Sequence, residues 1–114
     1  MYDPTMGHLA ALAPRPRLEA TYLVIAAREA GIPLIITSSR RSQWEQFKLV
    51  ISGRSRTLNS AHLRGQAFDV DVAGWRRDAL PEAFWASLGE YAEALGLTWG
   101  GRFKTFYDPG HFEL

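Results

Sequence analysis

The chain has 114 residues, and its 13 lysines and arginines against 12 aspartates and glutamates give a formal net charge of +1. This length suits one domain, and a hydrophobic fraction of 46% with a charged fraction of 22% argues against disorder. The small net charge argues against a nucleic-acid partner, and the lack of a long apolar run argues against membrane insertion. Because the chain has no cysteine, disulfides and thiolate zinc sites are excluded.

The N-terminal segment is rich in proline, with Pro4, Pro14 and Pro16 among its first residues. We therefore expect residues 1–16 to form an irregular lead-in to the domain. The start of the chain also lacks the basic residues and the apolar stretch of a signal peptide. We expect a protein that is made in the cytoplasm without an export signal.

Helices and short strands alternate along the next part of the chain. Apolar residues at helical spacing predict a helix over 17–30, and the apolar, β-branched run at 34–37 predicts a buried strand. Ser42 followed by Glu45 has the pattern of a capping box, which predicts a helix over 43–51.

The second half of the chain begins with a polar stretch at 52–65, which predicts a loop. Residues 67–72 then alternate strictly, which predicts a strand with Asp69 and Asp71 on one face and apolar residues on the other. Three more elements are predicted: a helix over 81–95 and strands over 97–99 and 111–114. This order predicts an α+β domain with a small, mostly antiparallel sheet flanked by helices.

Two of the three histidines lie near carboxylates. His62 precedes Asp69 by seven residues, and His111 follows Asp108 by three, across a Pro-Gly turn. Two histidines and a carboxylate are a common ligand set for catalytic zinc, with a fourth position left for water, and a further carboxylate can act as a general base. A single histidine is more often a structural or surface residue than a ligand, and it is the combination with the carboxylates that predicts a metal site. The reaction at this site is left open.

The order of residues around His62 is more specific. Residues 60–69 read Ser-Ala-His-Leu-Arg-Gly-Gln-Ala-Phe-Asp and match the pattern S-x-H-x-x-G-x-A-x-D. This segment resembles the signature of the VanY-like zinc peptidases of peptidoglycan, which include D-Ala-D-Ala carboxypeptidases, L-alanyl-D-glutamate endopeptidases and many phage endolysins. Three other segments are similar to further motifs of that family: residues 39–46, 97–101 and 108–113.

The resemblance implies a fold like that of the D,D-peptidases and the hedgehog domain. It also implies that His62, Asp69 and His111 bind Zn²⁺ and that Asp108 is the catalytic base. The family usually has proline immediately before its last histidine, whereas this chain has Gly110 there. The three-residue step from Asp108 to His111 is kept, so the assignment of the base is kept as well.

The same resemblance assigns residues that act on the substrate. It implies that Arg41 stabilises the oxyanion or holds the substrate and that Ser60 contacts the substrate. Arg40 is the alternative to Arg41, since neighbouring residues of an extended segment point to opposite sides. Asp71 is expected to orient a histidine or an arginine rather than to bind the metal, and Glu113 is expected to stand in the same relation to His111.

The function implied by the resemblance is a zinc-dependent peptidase that hydrolyses the stem peptide of peptidoglycan. The W-G-G segment and the short D-x-x-H-F-E ending favour an L-alanyl-D-glutamate endopeptidase acting as a phage endolysin. The alternatives are a D-Ala-D-Ala carboxypeptidase and a non-catalytic, metal-stabilised domain that binds peptidoglycan. Asp108 argues against the last, because a binding domain needs no base. We expect a monomer with one zinc peptidase domain over 1–114 that acts on the cell wall.

Overall fold

A four-stranded antiparallel sheet lies at the centre of the protein, in a computed structural model that describes residues 2–55 and 60–114. The strands are β1 (Leu34–Ser38), β2 (Ala67–Val72), β3 (Thr98–Trp99) and β4 (His111–Glu113), in the spatial order β1-β2-β4-β3. The described helices are α1 (Thr5–Ala11), α2 (Pro14–Glu29), α3 (Gln43–Ile51) and α4 (Glu82–Ala94), with short 3₁₀ turns at Ala61–Arg64, Arg77–Ala79 and Gly100–Arg102. No described helix is long and apolar enough to cross a membrane.

The N-terminal segment is helical, so the expectation of an irregular lead-in over 1–16 is wrong. Pro4 lies at the N-cap position of α1, and Pro14 and Pro16 lie in the first turn of α2. The N–H groups of a first turn have no partner within the helix, so proline loses nothing there and its fixed φ favours the helix start. Thr5 then ties α1 to the sheet, because its hydroxyl accepts a hydrogen bond from a backbone N–H of β1 at 3.0 Å.

The helices after the first follow the predicted pattern. Helix α2 ends at Glu29, and Gly31 beyond it adopts the positive φ of 83° that often ends a helix. Helix α3 begins with the predicted capping box, in which Ser42 and Glu45 each accept a hydrogen bond from the other's backbone N–H. The strand predicted at 34–37 and the long helix predicted at 81–95 are also present within a residue or two of their expected bounds. The loop predicted at 52–65 lies in part outside the described residues, at 56–59, and contains the 3₁₀ turn Ala61–Arg64.

Strand β2 is the centre of the sheet and separates its two faces. Phe68, Val70 and Val72 are almost fully buried in a core formed with α2 and α4. Asp69 and Asp71 lie on the opposite face, as the alternation predicted. Strand β4 pairs with β2 so that Asp69 lies opposite His111, which places the two predicted site segments side by side.

Candidate active site

The segment from Ser60 to Asp69 carries the sequence signature, and each of its fixed positions has a structural reason. The hydroxyl of Ser60 accepts a hydrogen bond from the backbone N–H of His62 at 3.2 Å and caps the 3₁₀ turn. Gly65 ends that turn with a φ of 66°, a conformation that side chains disfavour. Ala67 is fully buried at the start of β2. The turn and the strand therefore hold the histidine and the aspartate at a fixed separation.

His62, Asp69 and His111 form what we call the His-Asp-His cluster, whose potential ligand atoms all lie within 4.8 Å of one another. The Asp69 carboxylate lies 3.2 Å from Nε2 of His62 and 3.0 Å from Nδ1 of His111. Those two nitrogens are 3.3 Å apart. Both imidazoles are buried, so the three groups converge at the floor of the site.

The outward nitrogen of each imidazole has an acceptor of its own. Nδ1 of His62 donates to the backbone carbonyl of Ser39 at 2.6 Å, and Nε2 of His111 donates to Glu113 at 2.7 Å. These hydrogen bonds orient both rings and leave Nε2 of His62 and Nδ1 of His111 facing Asp69. Two imidazole nitrogens and a carboxylate oxygen, each oriented in this way, fit the ligand set of a catalytic zinc ion.

The charges of the site shift the pKa values of its acids and bases. Burial alone would raise the pKa of Asp69, but hydrogen bonds from His111 and His62 outweigh burial and hold that pKa well below its ordinary range. Burial likewise disfavours a charged His111, yet hydrogen bonds to Asp69 and Glu113 raise its pKa to about 9. Asp108 has the opposite shift to Asp69, because burial and the negative charge of Asp69 raise its pKa.

Asp108 lies at the edge of the cluster rather than within it. Its carboxylate is 4.0 Å from Nδ1 of His111 and 3.5 Å from Nη1 of Arg77. The turn that carries Asp108 is held by backbone hydrogen bonds to Gly100 and from His111, at 3.1 Å each. A half-buried carboxylate with a raised pKa beside the His-Asp-His cluster has the position and the proton affinity that a general base needs.

The two neighbouring arginines point to different parts of the molecule. Arg41 donates to the Asp69 carboxylate at 2.9 Å and to the side-chain carbonyl of Gln46 at 3.1 Å. Arg40 instead donates to the backbone carbonyl of Ala11 at the end of α1. The structure thus places Arg41, and not Arg40, at the cluster, while the role of Arg41 in catalysis stays a prediction.

A cavity of about 380 Å³ opens above the cluster. Besides His62 and His111, it is lined by Ser60, Asp108 and a basic rim of Arg41, Arg54 and Arg64. The structure therefore brings all the predicted site residues to one cavity or its floor. The basic rim suits a substrate with several carboxylates.

Two participants were missed by the sequence interpretation. Ser39 acts through its backbone carbonyl, which no side-chain pattern reveals. Arg77 reaches Asp108 and also donates to Asp71 at 3.0 Å. The expectation that Asp71 orients a basic side chain is confirmed, but only the fold identifies that side chain as Arg77.

Comparison with known proteins identifies a matching peptidase family and two relatives that are named as peptidases. Residues 53–114 match a peptidase family described as D-alanyl-D-alanine carboxypeptidase. The chain is 31% identical, over 99% of its length, to the L-alanyl-D-glutamate peptidase of Listeria phage A118, of which it spans 41%. It is also 31% identical, over 90% of its length, to the peptidoglycan L-alanyl-D-glutamate endopeptidase CwlK of Bacillus subtilis, of which it spans 73%.

Solved structures show the same likeness. The Serratia marcescens L-Ala D-Glu endopeptidase ChiX superposes with a TM-score of 0.71 at 26% identity, over 96% of this chain and 85% of that one. The vancomycin-resistance D,D-pentapeptidase VanY, solved in complex with Zn(II), shares the fold with a TM-score of 0.66 at 18% identity, over 90% of this chain and 71% of that one. The expected α+β fold, similar to that of the D,D-peptidases, is confirmed.

Proposed function

The chain belongs to the D-alanyl-D-alanine carboxypeptidase family of peptidases, and from this premise we propose that it is a zinc-dependent enzyme that hydrolyses the stem peptide of peptidoglycan. The observation that carries the proposal is the convergence of His62, Asp69 and His111 with Asp108 beside them. A domain that only bound peptidoglycan would have no use for a half-buried carboxylate with a raised pKa beside the cluster.

We propose the bond between L-alanine and D-glutamate as the one that is cut. Both curated relatives and the ChiX structure carry the name of that activity, which supports this choice for the present chain. The phage relative also supports a role as an endolysin acting on the cell wall. A D-Ala-D-Ala carboxypeptidase is the alternative, favoured by the description of the matching family.

The cluster would hold the metal, and the nearby residues would do the rest of the chemistry. When bound, Zn²⁺ polarises the scissile carbonyl and lowers the pKa of water to about 7. Asp108 is placed to accept a proton during the attack and to deliver it to the leaving amine. Arg41 is clamped between Asp69 and Gln46, so its guanidinium is already oriented towards the cavity where negative charge develops.

The basic rim of the cavity would bind the rest of the stem peptide. Arg54 and Arg64 line the cavity with Arg41, and a D-glutamate residue offers them a carboxylate next to the bond that is cut. Ser60 lies at the same wall, with its hydroxyl engaged at the start of the 3₁₀ turn. We propose that Ser60 contacts the substrate from this position.

Mass spectrometry of the fragments released from purified peptidoglycan tests the proposal. The zinc-loaded protein should release fragments with a new N-terminal D-glutamate, and the Asp108→Ala variant, prepared in the same way, should release them about 10²–10⁴-fold more slowly. Free D-alanine would instead identify a carboxypeptidase. Binding to peptidoglycan without any released fragment would contradict the enzymatic proposal.

A further inference from the structure

The guanidinium of Arg77 lies between the two carboxylates Asp71 and Asp108. Its Nε donates to Asp71 at 3.0 Å and its Nη2 donates to the backbone carbonyl of Val70 at 2.9 Å. The remaining nitrogen, Nη1, lies 3.5 Å from the carboxylate of Asp108. The Trp85 ring lies beside it, with Cζ of Arg77 at 5.9 Å from the ring centroid. Arg77 is therefore fixed by the sheet and by α4 before it meets Asp108.

We propose that Arg77 is a positioning residue that holds the Asp108 carboxylate towards the His-Asp-His cluster, an inference that rests on the proposed role of Asp108 as the base. Among the described residues, the charged partners within 4.0 Å of Asp108 are Arg77 and His111. Arg77 thus restrains the side of the carboxylate that faces away from the cluster. Asp71 in turn restrains Arg77, which gives this second carboxylate of β2 its function.

Gly110 makes this arrangement possible. A Cβ atom at position 110 would lie 2.7 Å from Nη2 and 2.8 Å from Cζ of Arg77, and also 2.8 Å from the Val70 carbonyl. The guanidinium therefore occupies space that any side chain at this position would take. The turn between Asp108 and His111 can approach Arg77 closely only because residue 110 is glycine.

The position of the base affects the rate of the reaction. A catalytic group displaced by about 1 Å can lose about 10²-fold in rate, because it leaves the geometry needed for reaction. Arg77 contributes this restraint without entering the cavity above the cluster, since it lines the neighbouring groove of about 920 Å³ instead. Its removal should therefore affect the turnover rate more than the binding of substrate.

Steady-state kinetics of Arg77→Ala on a soluble stem-peptide substrate test the proposal. We expect kcat to fall about 10–100-fold, with KM within about twofold of the wild-type value and one zinc ion still bound per chain. Arg77→Lys keeps the positive charge but loses the planar guanidinium with its several donors, and its kcat should lie between those of Arg77→Ala and the wild type. Arg76→Ala is the matched control, because this exposed neighbour pairs only with Asp78 among the described residues and should keep the wild-type kcat.

Two further measurements separate positioning from other roles. In the Asp108→Ala background, Arg77→Ala should cost nothing more, because the residue acts through Asp108. In crystal structures, the Asp108 carboxylate should move or take several positions in Arg77→Ala while the cluster stays in place.

The proposal is overturned if KM rises at constant kcat, which would make Arg77 a substrate ligand, or if Asp108 keeps its position in the variant. If the wild-type protein releases no fragment from peptidoglycan, the proposed function fails. The crystal comparison still decides in that case whether Arg77 positions Asp108.

Discussion

The two faces of strand β2 carry different kinds of residue over the same six positions. One face presents Phe68, Val70 and Val72, each at most 5% exposed, to a core of aliphatic and aromatic side chains. The other face presents Asp69 and Asp71 to charged partners. Cores of this kind tolerate many combinations of apolar side chains with a similar total volume, at a modest cost in stability. The acidic face instead depends on single atoms of particular partners.

The acidic face is itself divided into two. Asp69 lies among two imidazoles and Arg41, and forms the floor of the proposed metal site. Asp71 lies two residues further on and contacts Arg77 and the hydroxyl of Thr37. Because residues two apart on a strand share a face, one short segment would supply both the proposed metal ligand Asp69 and the support of the proposed base.

The largest effect on the rate of hydrolysis is expected at Asp108, which lies beside the residues of the acidic face. Asp108→Ala should lower the rate of hydrolysis about 10²–10⁴-fold while zinc stays bound, because the variant loses proton transfer and not a ligand. His62→Ala should lose both zinc and activity. Zinc content by mass spectrometry and initial rates on peptidoglycan check this pair. Equal loss of zinc in both variants would make Asp108 a ligand and would require a new role for Asp69.

Arg41 and Arg40 give the next comparison. Arg41→Lys keeps the positive charge but loses the planar fork that contacts Asp69 and Gln46, so activity should fall about 10²-fold. Arg40→Ala, at a site that faces the end of α1, should change the rate far less. Rates on purified peptidoglycan decide between them. A severe defect in Arg40→Ala beside a near-normal Arg41→Lys would show that the proposed substrate clamp is wrongly placed.

Substitutions in the core that packs on the apolar face should lower the free energy of unfolding and leave zinc binding and kcat unchanged. Ile36 is fully buried on β1 opposite Val70, and Ile36→Ala should lower the free energy of unfolding by about 2–5 kcal/mol. Ile36→Val, the milder control, should cost about 0.5–1.5 kcal/mol. Denaturant unfolding measures both values. Under conditions where the variants are folded, zinc content and kcat should match the wild type, and a specific loss of either would mean that the two faces are coupled.

The smallest effect is expected at the start of α3, which supplies Gln46 to Arg41. Ser42→Ala should lower the free energy of unfolding at pH 7 by about 1 kcal/mol, because the first turn loses its side-chain acceptor.

Hydrogen bonds from Ser42 also lower the pKa of Glu45. The ionised Glu45 carboxylate therefore adds to the free energy of unfolding above its unfolded pKa near 4.5. This stabilisation is lost as the pH falls through the lower pKa of the folded state. Thermal unfolding between pH 3 and 7 should show Glu45→Ala, which lacks the titrating carboxylate, converging with the wild type at low pH; a constant gap between these two proteins would contradict the capping box.

The parts of the molecule that depend on neighbours in sequence could be predicted. The alternation of residues 67–72 gave both faces of β2, and the pair Ser42 and Glu45 gave the start of α3. The lead-in was wrong because proline is typical both of irregular segments and of the first turn of a helix, and the local sequence does not distinguish the two.

The site could be predicted only in part. The signature at 60–69, with the segments at 39–46 and 108–113, predicted its residues through a family resemblance. The proposed ligands His62 and His111 lie 49 positions apart, and the pairing of β2 with β4 brings them together. Arg77 had no such signal. Its contact with Asp108 depends on the turn at Gly110, and no pattern within the segment around Arg77 indicates a partner 31 residues away.

Anomalous scattering at the zinc absorption edge, from crystals of the full chain grown with zinc, tests the central claim most directly. The account predicts one peak per chain, within bonding distance of Nε2 of His62, the carboxylate of Asp69 and Nδ1 of His111, at about 2.0–2.2 Å from each. A peak remote from these three side chains, or no peak in crystals whose protein hydrolyses peptidoglycan, would contradict the assignment of the cluster as the metal site.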